Sequence, residues 1–131
     1  MITWFFDPGQ TTGYAKYQEV TLCDWGEFEL WRGLDSRILP GDMVIYESFF
    51  LGGPSFRLVG IEVIGVIKYL CETLNIEPKS QSPSSIVGVF KWPIYDFSSV
   101  KGQHAKDAIA HGIVYFGSPV QLPKEFYTSE H

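Results

Sequence analysis

Ile2-Thr3-Trp4-Phe5-Phe6-Asp7-Pro8-Gly9-Gln10-Thr11-Thr12-Gly13 opens the chain with an apolar run that ends in a carboxylate and a glycine-containing turn. The run reads as a buried strand, and Pro8-Gly9 stops it. Asp7 therefore stands where a hydrophobic element ends. Two further acids occupy matching places. Glu47 closes the run Met43-Val44-Ile45-Tyr46, and Asp107 lies in His104-Ala105-Lys106-Asp107-Ala108-Ile109-Ala110-His111, whose Ala-rich, Gly-free makeup predicts a helix. Carboxylates at the ends of hydrophobic elements are expensive unless something positive holds them, and a divalent cation is the simplest such partner. The pattern predicts metal-dependent phosphoryl-transfer chemistry.

Outward from this strand, residues 13–20 and 22–30 carry β-branched and aromatic residues with partial alternation, and a turn near 19–21 joins them as a hairpin. Three antiparallel strands thus open the fold. Residues 31–39 read equally as a short helix or a loop, and 42–48 form a fourth strand, apolar enough to be central. Gly52-Gly53-Pro54-Ser55 signals a loop and a helix start. Over 55–74 the apolar residues Leu58, Ile61, Val63, Ile64, Val66, Ile67, Leu70 and Cys71 cover more than one helical face, predicting burial against the sheet and against a partner subunit. Residues 76–80 make a short fifth strand, Pro83 opens a short helix reaching about Phe90, 91–101 are irregular, and 102–115 form the last helix. The tail from Ser118, with Pro119 and Pro123, is an edge segment. The predicted class is α/β: a mixed five-stranded sheet, three antiparallel strands followed by parallel ones, flanked by helices.

A chain of 131 residues predicts one domain spanning 1–131, and the 45% apolar and 19% charged fractions are those of a globular core rather than a disordered segment. Cys23 and Cys71 have no metal or disulfide spacing, and the N-terminus lacks a basic segment followed by an apolar stretch, which predicts free thiols and a cytoplasmic protein. Glu62, Lys68 and Glu72 interrupt the longest apolar stretch, so no membrane segment is expected. The net charge of −5 opposes a nucleic-acid partner, although acids that cradle divalent ions present a less negative face once loaded.

Each acid has an ordinary explanation beside the functional one. Asp7 can cap its own turn, or its Asp-x-Gly-x-Thr-like loop can cradle a nucleotide phosphate as in the sugar-kinase and actin superfamily; that scaffold needs two large lobes, and this length favours metal binding. Glu47 alone reads as a solvated strand end, and Asp107 alone as an acid near a helix N-terminus. Together they read otherwise. If the first and fourth strands are neighbours, Asp7 and Glu47 stand side by side, and His104 and Asp107 share a helix face, with Ala105, Ala108 and Ala110 permitting close approach to the sheet. His111, four residues beyond Asp107 on a similar face, is left outside this set. These groups permit two-metal hydrolysis with Mg²⁺ ions about 4 Å apart, Asp7 bridging them, Glu47 and Asp107 completing the shells, and His104 acting as ligand or proton donor.

Asp7-Pro8-Gly9…Thr12-Gly13-Tyr14, Glu47-Ser48-Phe49-Phe50, Leu58-Val59-Gly60…Gly65, Pro83-Ser84-Ser85-Ile86-Val87-Gly88 and His104…Asp107-Ala108-Ile109-Ala110, in this order, resemble RuvC-type Holliday-junction resolvases, particularly their short phage forms. The resemblance spans nearly the whole chain. It implies an RNase H-like fold, a homodimer, two Mg²⁺ ions with Mn²⁺ as a substitute, and paired nicks in four-way DNA. It assigns Asp7, Glu47, His104 and Asp107 to a catalytic, metal-binding tetrad and Phe50 to stacking on bases near the crossover, a role that reads no sequence. Phe50 as a plain core residue is the competing reading. Lys79, Lys91, Lys101 and Lys106 are the cations expected to contact DNA. The Asp7 turn is one residue shorter than in the bacterial enzymes, the helix before the His/Asp helix is nearly deleted, and Val87 stands where the family tends to place a DNA-contacting lysine. Two alternatives follow: a junction-binding protein with weak or no catalysis, and a nuclease of the same fold acting on flaps, forks or RNA hybrids.

Overall fold

The computed structural model describes residues 1–48 and 58–128. Five strands form one sheet: β1 (Ile2–Asp7), β2 (Thr11–Gln18), β3 (Thr21–Glu29), β4 (Met43–Glu47) and β5 (Lys79–Gln81), in the order β3-β2-β1-β4-β5. The β1/β2 and β2/β3 pairs are antiparallel, whereas β1/β4 and β4/β5 are parallel. This is the predicted mixed sheet, with the apolar β1 and β4 at its centre because both of their faces are covered.

Side-chain alternation assigns the two faces. Trp4, Phe6, Tyr14 and Val44 pack with Val63, Ile67 and Cys71 of helix α1 (Leu58–Thr73) and with Leu34 and Ile38. Phe5, Ala15, Tyr17 and Ile45 pack with helix α2 (Gln103–Phe116) and with Val120, Leu122 and Phe126 of the tail. The parity that sends Phe5 and Ile45 toward α2 also sends Asp7 and Glu47 there. Segment 31–37, ambiguous by sequence, is a series of turns that delivers Leu34 and Ile38 to the core. The tail lies along β3 as an edge segment: the Leu22 N–H donates to the Gln121 carbonyl and the Gln121 N–H to the Val20 carbonyl, each at 2.9 Å.

Two expectations are corrected. The fifth strand runs over Lys79–Gln81 rather than 76–80, because pairing with β4 sets its position: Ile45 faces Lys79 and Glu47 faces Gln81. The helix expected from Pro83 to about Phe90 is two 3₁₀ turns, Pro83–Ile86 and Val89–Lys91, which Ile86 and Val89 anchor in the core. Helix α1 packs on the sheet through Gly60, Val63, Ile67 and Cys71, as expected of one of its faces, and leaves Leu58, Ile61 and Tyr69 exposed on this chain. Among the described residues no helix is long and apolar enough to cross a membrane, and both cysteines are free thiols.

Candidate metal centre

β1 and β4 run parallel with Phe6 opposite Tyr46, so the next residues along, Asp7 and Glu47, end the two central strands side by side. Both are buried, Asp7 at 3% exposure and Glu47 at 8%. Asp107 comes from the second turn of α2, and one carboxylate oxygen from each of the three acids lies within 4.8 Å of the other two. The sequence reading placed these three together, and the fold does so.

Close approach of α2 to the sheet makes this possible. Ala105, Ala108 and Ala110 are fully buried. At Gly13, which pairs with Asp7 across β1/β2, a Cβ would lie only 2.0 Å from the His104 carbonyl oxygen, so β2 must carry glycine where the start of α2 crosses it. The helix is pinned from two directions. The Tyr17 hydroxyl donates to the Ile109 carbonyl at 2.8 Å, and Glu27 of β3 accepts the backbone N–H groups of His104 at 3.1 Å and Ala105 at 3.2 Å. Glu27 supplies from a distant strand the carboxylate that a helix N-terminus attracts. Gly102, at φ 86°, leaves it room, for a Cβ there would meet the Glu27 carboxylate. Behind Asp7, the Thr12 hydroxyl donates to the Leu30 carbonyl at 2.7 Å and ties the turn to the end of β3.

Each acid has a partner. His104 Nδ1 lies 2.9 Å from Asp7 Oδ2, and Gln103 donates to Asp107 Oδ1 at 2.8 Å. His111, which sequence reasoning left out of the tetrad, meets Glu47 Oε1 through Nε2 at 2.9 Å and Gln81 Oε1 through Nδ1 at 2.7 Å. The sequence carried one signal for it, the four-residue spacing from Asp107. Glu27, Gln81 and Gln103 carried none.

Burial sets the electrostatics. It pushes the Asp7 carboxyl up to about 8; the bond to His104 opposes this, and the charge and hydrogen bond of Glu47 add to it. Burial acts upward on Glu47 too, but there hydrogen bonds from His111 and Asp7 win and hold it below its ordinary value. Asp107 is raised by burial against the Gln103 bond. His104 is raised by its bond to Asp7, against burial. Burial thus pushes Asp7 toward its protonated form, while its neighbours hold Glu47 toward the ionised one. Three convergent carboxylates, two of them buried, form an oxygen donor set that suits Mg²⁺ or Mn²⁺, and the repulsion among them is what such an ion relieves.

The remaining sequence candidates are placed unequally with respect to this centre. Lys101 and Lys106 bracket the first turn of α2, and Lys91 is exposed in the second 3₁₀ turn. Lys79 is exposed two residues before Gln81, beside a groove lined by Gly41, Asp42, Asn75 and Glu77 at the far end of β4 and β5. Glu62 is exposed on α1 and outside the carboxylate group, Val87 is exposed, and Phe50 falls outside the described residues.

No family model matches the sequence, and no curated protein does. Among solved structures, T. thermophilus RuvC in complex with Holliday junction substrate matches with a TM-score of 0.61 at 12% identity, over 90% of this chain and 97% of that one. A second Thermus thermophilus RuvC structure matches with a TM-score of 0.60 at 13% identity, over 88% and 93%. With its five-stranded mixed sheet, order β3-β2-β1-β4-β5, and its flanking helices, the chain has the RNase H-like fold of RuvC.

Proposed function

We propose that this chain is a metal-dependent, structure-selective DNA endonuclease that resolves Holliday junctions and related branched DNA by paired nicks. The observation that carries the reading is the convergence of Asp7, Glu47 and Asp107 at the ends of the central strands, in a fold that covers 97% of a RuvC chain solved with its junction. Mg²⁺, with Mn²⁺ as a substitute, supplies when bound the Lewis acidity that activates water and steadies the leaving 3′ oxygen, and two such ions are expected. Asp7, Glu47 and Asp107 would hold the ions. His104, half exposed at the mouth of the centre, adds a ligand or hands a proton to the scissile phosphate from Nδ1 or Nε2.

One domain spanning 1–131 acts as half of a homodimer, which supplies the second nick. The exposed Leu58, Ile61 and Tyr69 on α1 favour that arrangement, since a lone helix face of this kind is normally covered. Lys91, Lys101 and Lys106 approach the backbone near the centre, Lys79 contacts an outlying arm, and Phe50 stacks at the crossover. The protein acts in the cytoplasm, as a short form of the phage type.

The test is cleavage of a labelled four-way junction, with duplex, flap and RNA-hybrid controls, in Mg²⁺ and Mn²⁺, for wild type and Asp7→Asn. Symmetric junction nicks lost in the variant support the proposal. Cleavage of flaps or hybrids alone keeps the chemistry and reassigns the substrate. Tight junction binding without cutting by the wild type replaces the enzyme with a junction-binding protein.

A further inference from the structure

The two histidines of α2 are seven positions, two helical turns, apart, and each meets a different buried carboxylate. They differ in exposure. The His104 side chain is 46% exposed, whereas that of His111 is 2% exposed and sealed from solvent. His111 also occupies a stretch of α2 whose other members, Ala108, Ile109, Ala110, Gly112 and Ile113, are buried small or aliphatic residues. Packing alone would put another aliphatic side chain there, because an imidazole in such a place is costly unless both ring nitrogens are satisfied. Both are. Nε2 donates to the Glu47 carboxylate and Nδ1 faces the Gln81 side-chain amide, whose NH2 end can donate to it, and Gln81 is the β5 residue paired with Glu47 in the sheet. The Gln81 carbonyl in turn accepts the Ser48 N–H at 2.9 Å and the Ser48 hydroxyl at 3.3 Å, closing the loop back onto the end of β4.

We infer that His111 is a positioning residue that clamps the Glu47 carboxylate within the acidic cluster and ties α2, which carries Asp107, to the ends of β4 and β5. This rests on the metal reading proposed above. His111 is shut off from any polymer substrate, so its action passes through Glu47. A carboxylate already ordered by a buried partner loses less freedom on taking up a cation than one that rotates, and outer partners of this kind set metal affinity.

The test is Mn²⁺ titration of the metal-free protein by calorimetry at constant pH, together with the Mg²⁺ dependence of junction cleavage, for wild type, His111→Leu, His111→Gln, Gln81→Met and Asp7→Asn. His111→Leu should weaken Mn²⁺ binding roughly 10- to 100-fold and raise the Mg²⁺ needed for half-maximal cleavage, with the rate at saturating Mg²⁺ largely kept. His111→Gln retains an N–H donor and should recover most of the affinity. Gln81→Met leaves Glu47 and His111 in place and should show a smaller loss in the same direction, which reads the clamp even if His111→Leu folds poorly. Mn²⁺ affinity unchanged in His111→Leu and Gln81→Met but lost in Asp7→Asn would overturn the clamp and leave the metal centre standing. A wild type that takes up no Mn²⁺ would overturn both.

Discussion

Replacing Asp7 with Asn should stabilise the metal-free protein, by an amount that grows with pH. The Asp7 carboxyl ionises at 3.8 in its ordinary state and at about 8 in the fold, because it is buried beside Glu47 and Asp107. Between those values the folded chain carries a proton that the unfolded chain has released, so the wild type loses stability as pH rises, at about 1.4 kcal/mol per pH unit. Above about 8 both states are ionised at this position and the loss levels off. The amide of the variant has no such proton. The advantage of Asp7→Asn is therefore near zero at pH 4 and reaches about 2–4 kcal/mol at pH 7, the lower figure allowing for the favourable pairing with His104 that the ionised wild type regains. For a domain of this size that is a rise in Tm on the order of 5–15 °C. Urea and thermal unfolding in EDTA, at pH 5, 6, 7 and 8 for both proteins, measures it, and titrations of groups away from Asp7 cancel in the difference. Added Mn²⁺ should then raise the Tm of the wild type by mass action and leave the variant unmoved. A variant less stable than wild type at every pH, or a difference that does not change from pH 5 to 8, would refute the reasoning.

Two further outcomes follow from how α2 is held. Gly13→Ala places a Cβ against the His104 carbonyl and must push the start of α2 off the sheet, so junction cleavage should fall by at least tenfold even where circular dichroism and unfolding report a folded chain. Glu27→Ala removes the acceptor for the His104 and Ala105 N–H groups and should cost about 1 kcal/mol in urea unfolding, with Glu27→Gln, which keeps a side-chain oxygen, recovering most of it.

The layer plan and the core of the centre were legible because they depend on local pattern. An apolar run ending in an acid, repeated at Asp7 and Glu47, together with the Ala-rich stretch around Asp107, specifies where the elements end and which residues share a face. Alternation along a strand then sends the acids and the residues two positions before them to the same side of the sheet. The boundaries of β5 and the two 3₁₀ turns were not legible in this way. β5 is three residues long and takes its position from pairing with β4, and the Pro83 segment is shaped by the core positions of Ile86 and Val89 rather than by its own helix signals.

That Asp7 and Glu47 end buried strands, and that Asp107 stands on an Ala-rich helix able to approach them, is written in the order of residues along the chain. Which groups support those acids is a property of the folded molecule. His111 reaches Glu47 across 64 residues of chain, Gln81 reaches His111 across 30, and Glu27 reaches the start of α2 across 77. No local periodicity encodes such pairs. They exist because β5 adds to the parallel edge and because glycine and alanine let α2 press onto the sheet, which brings side chains from separate elements within hydrogen-bond distance.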